Sequence, residues 1–302
     1  YIQSLSINNS GENLVSTAVD GTVNLWDLKK EVLLENFKID STWLNSTKLY
    51  DDFAIVGNGP GNFGTIIYNE KISEKLQNPN PELIVQSTNT RSTRKVVFSP
   101  DGKYLASNDG QSVKVREIKT GFLISEFTTE NNVVNDIDFD KDGKSLIVAT
   151  GSGIEFIDPI TGKSKKKLNL KMRNRSIHQV ESFKVFNVFL VNNTHGWHYP
   201  LFFHSNSGKF LGQLNINPNK EIDKNIISVK ISNDGKKIAT YGSHYIKVFS
   251  LDLRTLKTKQ IAVIPRKQVE TSSIWNNLLD FSNDGKYLSF VEFKDNNTTI
   301  VY

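Results

Sequence analysis

One phrase of eleven residues recurs five times along the chain, and it constrains the fold more than any other feature. Its clearest copy is Val96-Val97-Phe98-Ser99-Pro100-Asp101-Gly102-Lys103-Tyr104-Leu105-Ala106. The others are Leu5–Val15, Ile137–Ile147, Val229–Ala239 and Leu279–Ser289. Each opens on an alternating segment, passes through a polar turn with Gly, and continues into an apolar run. That order reads as a β-hairpin. Its first strand (a) buries one face, its turn needs a residue tolerant of positive φ, and its second strand (b) is buried on both faces. The turn glycines stand at 11, 102, 143, 235 and 285, with gaps of 91, 41, 92 and 50. Two gaps are double, so each hides a degenerate copy. Asp51–Gly57 and Val185–Val191 supply a turn with an apolar strand at the required places. Seven units of roughly 43 residues account for the whole chain of 302.

A second register adds strands c and d. A bulky residue followed by a polar one closes each strand c: Trp26-Asp27, Tyr68-Asn69, Arg116-Glu117, Ile157-Asp158, Phe203-His204 and Phe249-Ser250. A short turn and a further strand follow several of them, as in Lys119–Ser125 and Ser207–Leu211. The unit is therefore four antiparallel strands, and no stretch longer than about ten residues carries a helical apolar period.

Four-stranded units at this spacing resemble the WD-repeat β-propeller along the full chain. The first unit carries the resemblance best, in Ser16-Thr17-Ala18-Val19-Asp20-Gly21-Thr22-Val23-Asn24-Leu25-Trp26-Asp27. The resemblance implies that Thr17, Asp20 and Trp26 form a hydrogen-bonded structural network. The family's Gly-His dipeptide before strand a is absent, and YVTN-like and TolB-like propeller repeats are the runner-up. The expected fold is all-β: a seven-bladed propeller with blades at 1–38, 39–86, 87–129, 130–170, 171–216, 217–264 and 265–302. The last blade ends in strand c, so it is expected to lack its outer strand. A longer chain upstream of Tyr1 is expected to supply that strand.

The sequence offers little chemistry. It has no Cys, which removes thiolate catalysis, disulfides and Cys-based metal sites. Gly151-Ser152-Gly153 and Gly57–Gly64 read as b–c connections rather than a nucleophile elbow or a phosphate loop. Among the five His, His195, His198 and His204 lie close in sequence, but Pro200 interrupts them, so no metal site is expected. Asp101, Asp142, Asp234 and Asp284 read as turn formers rather than calcium ligands. No apolar run reaches the length of a membrane span, and the expected location is cytoplasmic.

Charge is more informative. The net +5 hides a run of seven basic residues within 13: Lys163, Lys165, Lys166, Lys167, Lys171, Arg173 and Arg175. Arg91, Arg94 and Lys95 add to it from the preceding d–a loop. In a propeller the d–a loops and b–c turns share one face. A protein or peptide partner, acidic or phosphorylated, is therefore expected there. The contact set is Arg91, Arg94, Lys95, Lys171, Arg173, Arg175 and His178, with Trp197 and Trp275 as loop anchors. Stacking aromatics beside the arginines are lacking, which disfavours nucleic acid. A non-catalytic interaction scaffold without cofactor is the leading reading. A sensory or ligand-binding propeller joined to an effector domain is the alternative, and a propeller hydrolase or lyase the least favoured.

Overall fold

The computed structural model describes residues 2–8, 10–38, 44–50, 53–58, 64–67, 83–86, 93–129, 133–151, 153–170, 177–183, 185, 187–192, 201–205, 207–214, 226–252, 254–255, 257–266, 278–292 and 298–301. Their strands form seven antiparallel sheets. The first holds β1 (Ile2–Ile7), β2 (Asn13–Ala18), β3 (Thr22–Asp27) and β4 (Val32–Lys38). The second holds β5 (Leu44–Tyr50), β6 (Phe53–Asn58), β7 (Gly64–Ile67) and β8 (Leu83–Gln86). The third holds β9 (Lys95–Phe98), β10 (Tyr104–Asn108), β11 (Ser112–Glu117) and β12 (Leu123–Thr128). The fourth holds β13 (Val134–Phe139), β14 (Leu146–Thr150), β15 (Gly153–Ile157) and β16 (Ser164–Asn169). The fifth holds β17 (Gln179–Ser182), β18 (Val188–Asn192), β19 (Leu201–Ser205) and β20 (Phe210–Leu214). The sixth holds β21 (Ile226–Ile231), β22 (Lys237–Gly242), β23 (Tyr245–Asp252) and β24 (Lys257–Pro265). The last holds β25 (Leu279–Phe281), β26 (Leu288–Glu292) and β27 (Thr298–Val301), three strands among the described residues. Each sheet is a meander in chain order, and the sheets stand in a propeller arrangement. No helix of the described residues is long and apolar enough to cross a membrane.

The hairpin turns form as their composition dictates. Gly11, Gly102, Gly143, Gly235 and Gly285 all have φ between 66° and 75°, where a Cβ is strained. Ser99, Ser232 and Ser282 brace three of these turns. Each hydroxyl donates to the Asp two residues on (Asp101, Asp234, Asp284) at 2.6–2.7 Å and accepts the amide that starts strand b at 2.9 Å. The aspartates also accept an amide N–H, from Lys103, Lys236 and Lys286. The Asp–Gly repeat is thus a self-contained turn device. Thr150, which ends β14, bonds both backbone groups of Gly153, which begins β15, through its hydroxyl at 3.0 and 3.1 Å.

The core lies between neighbouring sheets rather than at a common centre. One cluster joins sheets three and four through Val97, Val115, Phe139 and Val148. Another joins four and five through Ile147, Phe156, Phe189 and Val191. A third joins five and six through Phe183, Leu190, Val229 and Phe249. Sheets six and one both pack on the last sheet, in a cluster with Tyr241, Ile246, Leu279, Phe290, Leu5 and Leu14. All residues of β14 and β15 are buried, as are those of the inner strands β9 and β17.

Candidate functional site

The first strand of every sheet lines a central cavity of about 470 Å3. These inner strands are neighbours in sequence order: β1 touches β5, β5 touches β9, β9 touches β13, β13 touches β17, β17 touches β21, β21 touches β25, and β25 touches β1. An inner strand is an edge strand. Its unpaired N–H groups face the preceding sheet and need acceptors. Side chains of the preceding sheet provide them. Ser4 Oγ accepts from Thr47 N at 3.0 Å and Ser6 Oγ from Leu49 N at 3.1 Å. Ser46 Oγ accepts from Val96 N at 3.2 Å. Asp136 and Asp138 accept from Val180 N and Ser182 N at 3.0 and 2.8 Å. Gln179 accepts from Val229 N at 3.1 Å and donates to Val229 O at 2.7 Å. Asp280 accepts from Ile7 N at 3.0 Å and from the Ser6 hydroxyl at 3.2 Å, linking the last sheet back to the first.

Charged pairs occupy the same inner strands. Lys95 Nζ lies 3.4 Å from Asp136, Lys48 Nζ 3.5 Å from Asp280, and Lys230 Nζ bridges Glu181 (2.6 Å) and Asp280 (3.7 Å). Burial works against the ionised form of Asp280. The ammonium groups of Lys48 and Lys230 and the bonds from Ile7 and Ser6 outweigh it, holding the carboxyl below its ordinary value. Burial likewise opposes the Lys230 charge, and Glu181 and Asp280 outweigh it, so its pKa is raised.

Asp136 is the opposite case. Its burial dominates the pull of Lys95 and the Val180 amide, and the carboxyl rises to about 6. The raised folded value means that Asp136 favours folding most below the ordinary carboxylate value, a contribution lost as pH rises through about 6. The shift corresponds to about 2 to 3 kcal/mol. In urea unfolding, the stability difference between wild type and Asp136→Asn should therefore change by that amount between about pH 7.5 and pH 4.5. The variant should gain relative to wild type at the higher pH. A difference that stays flat across this range would refute the assignment.

None of these inner residues except Lys95 figures among the loop-face contacts expected from sequence. The signal was present: polar side chains two apart in strand a, such as Ser4 and Ser6 or Asp136 and Asp138.

Three members of that loop-face set fall within the described residues. Arg94 is exposed; its amide donates to Asn108 O at 2.8 Å, and its guanidinium lies so close to Gly110 that any Cβ there would clash. A d–a loop residue thus meets a b–c turn. Arg266 repeats the contact, its guanidinium bonded to Gly242 O. Lys95 must be corrected: it is the first residue of β9, not a loop residue, and it is 5% exposed because its ammonium turns inward to Asp136. His178 is half-buried just before β17, with its amide bonded to Asn192 O at 3.1 Å. Arg91, Lys171, Arg173, Arg175, Trp197 and Trp275 lie outside the described residues. The basic run is also redistributed. Lys163 sits in the c–d turn of sheet four and Lys165 pairs with Asp158 there at 3.0 Å, at the strand ends opposite the d–a loops. Lys167 pairs with Glu155 at 3.6 Å.

The expected network of the first unit is rearranged. Trp26 donates to Ser16 Oγ at 3.1 Å, not to Thr17. The register explains this: Leu14 stands opposite Trp26 and Ser16 opposite Asn24, so Ser16 shares a sheet face with Trp26. Thr17 points to the other face, its hydroxyl 3.5 Å from Ser4 O. Asp20 accepts from Thr22 N at 3.0 Å and shapes the b–c turn alone.

Residues 1–27 match the family model of the WD domain, G-beta repeat. That match and the propeller arrangement of the sheets support a WD-repeat propeller. No curated protein matches the chain.

Proposed function

We propose that this WD-repeat propeller is a non-catalytic interaction scaffold: a closed ring of seven blades that binds a protein or peptide through its loop face and channel. The observation that carries this reading is the stitching of the inner strands. Serines, aspartates and a glutamine on strand a bond the backbone of the next sheet, and so act as a frame. A frame braced by its own side chains holds the loops in place to meet partners. Supporting it are the matched first repeat and the contacts of Arg94 and Arg266 with b–c turns, which bring basic d–a residues to one face. The preferred partner segment is acidic or phosphorylated, with Arg91, Arg94, Lys171, Arg173 and Arg175 as its counter-charges and Trp197, Trp275 and His178 beside them.

Titration with acidic and phosphorylated peptide libraries tests the reading. Affinity should fall with salt. Charge reversal at Arg91, Arg94, Arg173 and Arg175 should weaken binding by about tenfold or more. Binding that ignores both salt and charge reversal would refute the proposed contact face.

A further inference from the structure

The cavity at the centre of the sheets has a composition that the frame alone does not require. Seven equivalent places, each four residues before the hairpin-turn glycine or its counterpart, ring its end nearest the a–b turns. They are Ile7, Leu49, Phe98, Phe139, Ser182, Ile231 and Phe281. Six are large and apolar; the fifth sheet has Ser182. All but Phe139 line the cavity. Ser182 is 4% exposed, and its hydroxyl has no hydrogen-bond partner. A small polar side chain thus stands where the sister strands carry Ile, Leu or Phe, and its buried hydroxyl is left unanswered.

Next to the belt lies the charged tier. Its acids and bases differ in access. Asp138 is bound to the amides of Ser182 and Phe139, Glu181 to Lys230, and Asp280 to Ile7 and Ser6. Glu181 and Asp280 side chains are 7% exposed. The lysines reach further into the open space: Lys48 is 32% exposed, Lys141 29% and Lys230 21%. Three carboxylates, Asp138, Glu181 and Asp280, thus line the cavity with four lysines, and the ammonium groups of Lys48, Lys141 and Lys230 are more exposed than the carboxylates of Glu181 and Asp280.

We propose that this cavity binds a small organic anion with an apolar body. The anionic end meets Lys48, Lys230 and Lys141, and the body lies along the belt where Ser182 interrupts it. A volume of about 470 Å3 suits a small-molecule ligand. The site lies toward the a–b turns, at the opposite end of the strands from the loop face, so charge reversal of the loop arginines leaves it intact. The two readings thus stand or fall separately.

The probe is hexanoate, with hexylammonium and inorganic phosphate as comparisons, read by calorimetric titration and thermal unfolding. Hexanoate should raise the unfolding temperature in a concentration-dependent way. Hexylammonium should not, and phosphate should bind at least about tenfold more weakly for want of a body. Ser182→Leu restores the residue type of the sister strands and should fold, yet weaken hexanoate by about tenfold or more. Lys141→Met, in the a–b turn of sheet four, should weaken it without loss of secondary structure by circular dichroism. The proposal is overturned if hexanoate has no effect, if hexylammonium matches it, if phosphate binds equally well, or if both folded variants bind hexanoate as wild type does.

Discussion

Lys230→Met should destabilise the chain by about 3 to 5 kcal/mol in urea unfolding, the cost of removing one partner from a buried ion pair. Lys230 is the ammonium between Glu181 and Asp280, on strands of three different sheets. A methionine fills the space but leaves two carboxylates, each almost wholly buried, facing one another. Lys48 still neighbours Asp280 at 3.5 Å, which places the expected loss at the lower half of the range rather than above it. The pH dependence should separate this cause from lost packing. In wild type the lowered pKa of Asp280 means that its contribution is present above the ordinary carboxylate value and fades as pH falls through the lowered one. In Lys230→Met, acid relieves the uncompensated negative charge, so the deficit should shrink as pH falls. Lys230→Arg keeps the charge and should recover most of the stability. A loss below about 0.5 kcal/mol for Lys230→Met would mean that the inner charges are not coupled.

Tyr241→Ala should cost about 4 to 5 kcal/mol, and Tyr241→Phe only about 1 to 2 kcal/mol. Tyr241 is fully buried on β22 and makes three kinds of contact. Its ring packs in the cluster that joins sheets six, seven and one. Its hydroxyl donates to Val291 O at 2.7 Å, in β26 of the last sheet. The Arg266 guanidinium stacks over the ring, 3.8 Å from its centre. The alanine variant loses all three and leaves a cavity. The phenylalanine variant keeps the ring and strands one carbonyl. Hydrogen exchange should locate the damage: amides of β25 and β26 should exchange faster in Tyr241→Ala while those of β13 and β14 stay protected. Uniform loss of protection would show that the last sheet is not held separately through this residue.

Reading the sequence by repeat found the sheets, because turn chemistry is local. In three hairpins a Ser, an Asp and a positive-φ Gly specify the turn without help from the rest of the chain, and the glycine recurs in two more. The degenerate units at β5–β6 and β17–β18 lack the turn glycine and are legible from the doubled spacing and the apolar strand at each place. Contacts between strands were less legible. Ser16 and Thr17 are equally plausible partners of Trp26 until the β2–β3 register is fixed, and a shift of one residue changes the face. Lys95 read as part of a basic loop because a charged residue beside Arg94 gives no sign that it begins a buried strand. The inner polar residues were missed for a related reason. A polar position alternating with an apolar one suggests solvent, but here it faces the backbone of the next sheet.

The seven side-chain acceptors on the inner strands bear on how such units diverge. In each link one half is a side chain and the other an N–H that every residue but proline carries. A unit can therefore exchange its whole inner strand against the preceding sheet's side chain without breaking the link. Drift in one repeat does not demand a matching change in its neighbour. Sequence similarity among the seven units can decay to a few turn residues while the seams between them persist, and proline at Ile7, Leu49 or Ser182 is the substitution that such seams do not tolerate.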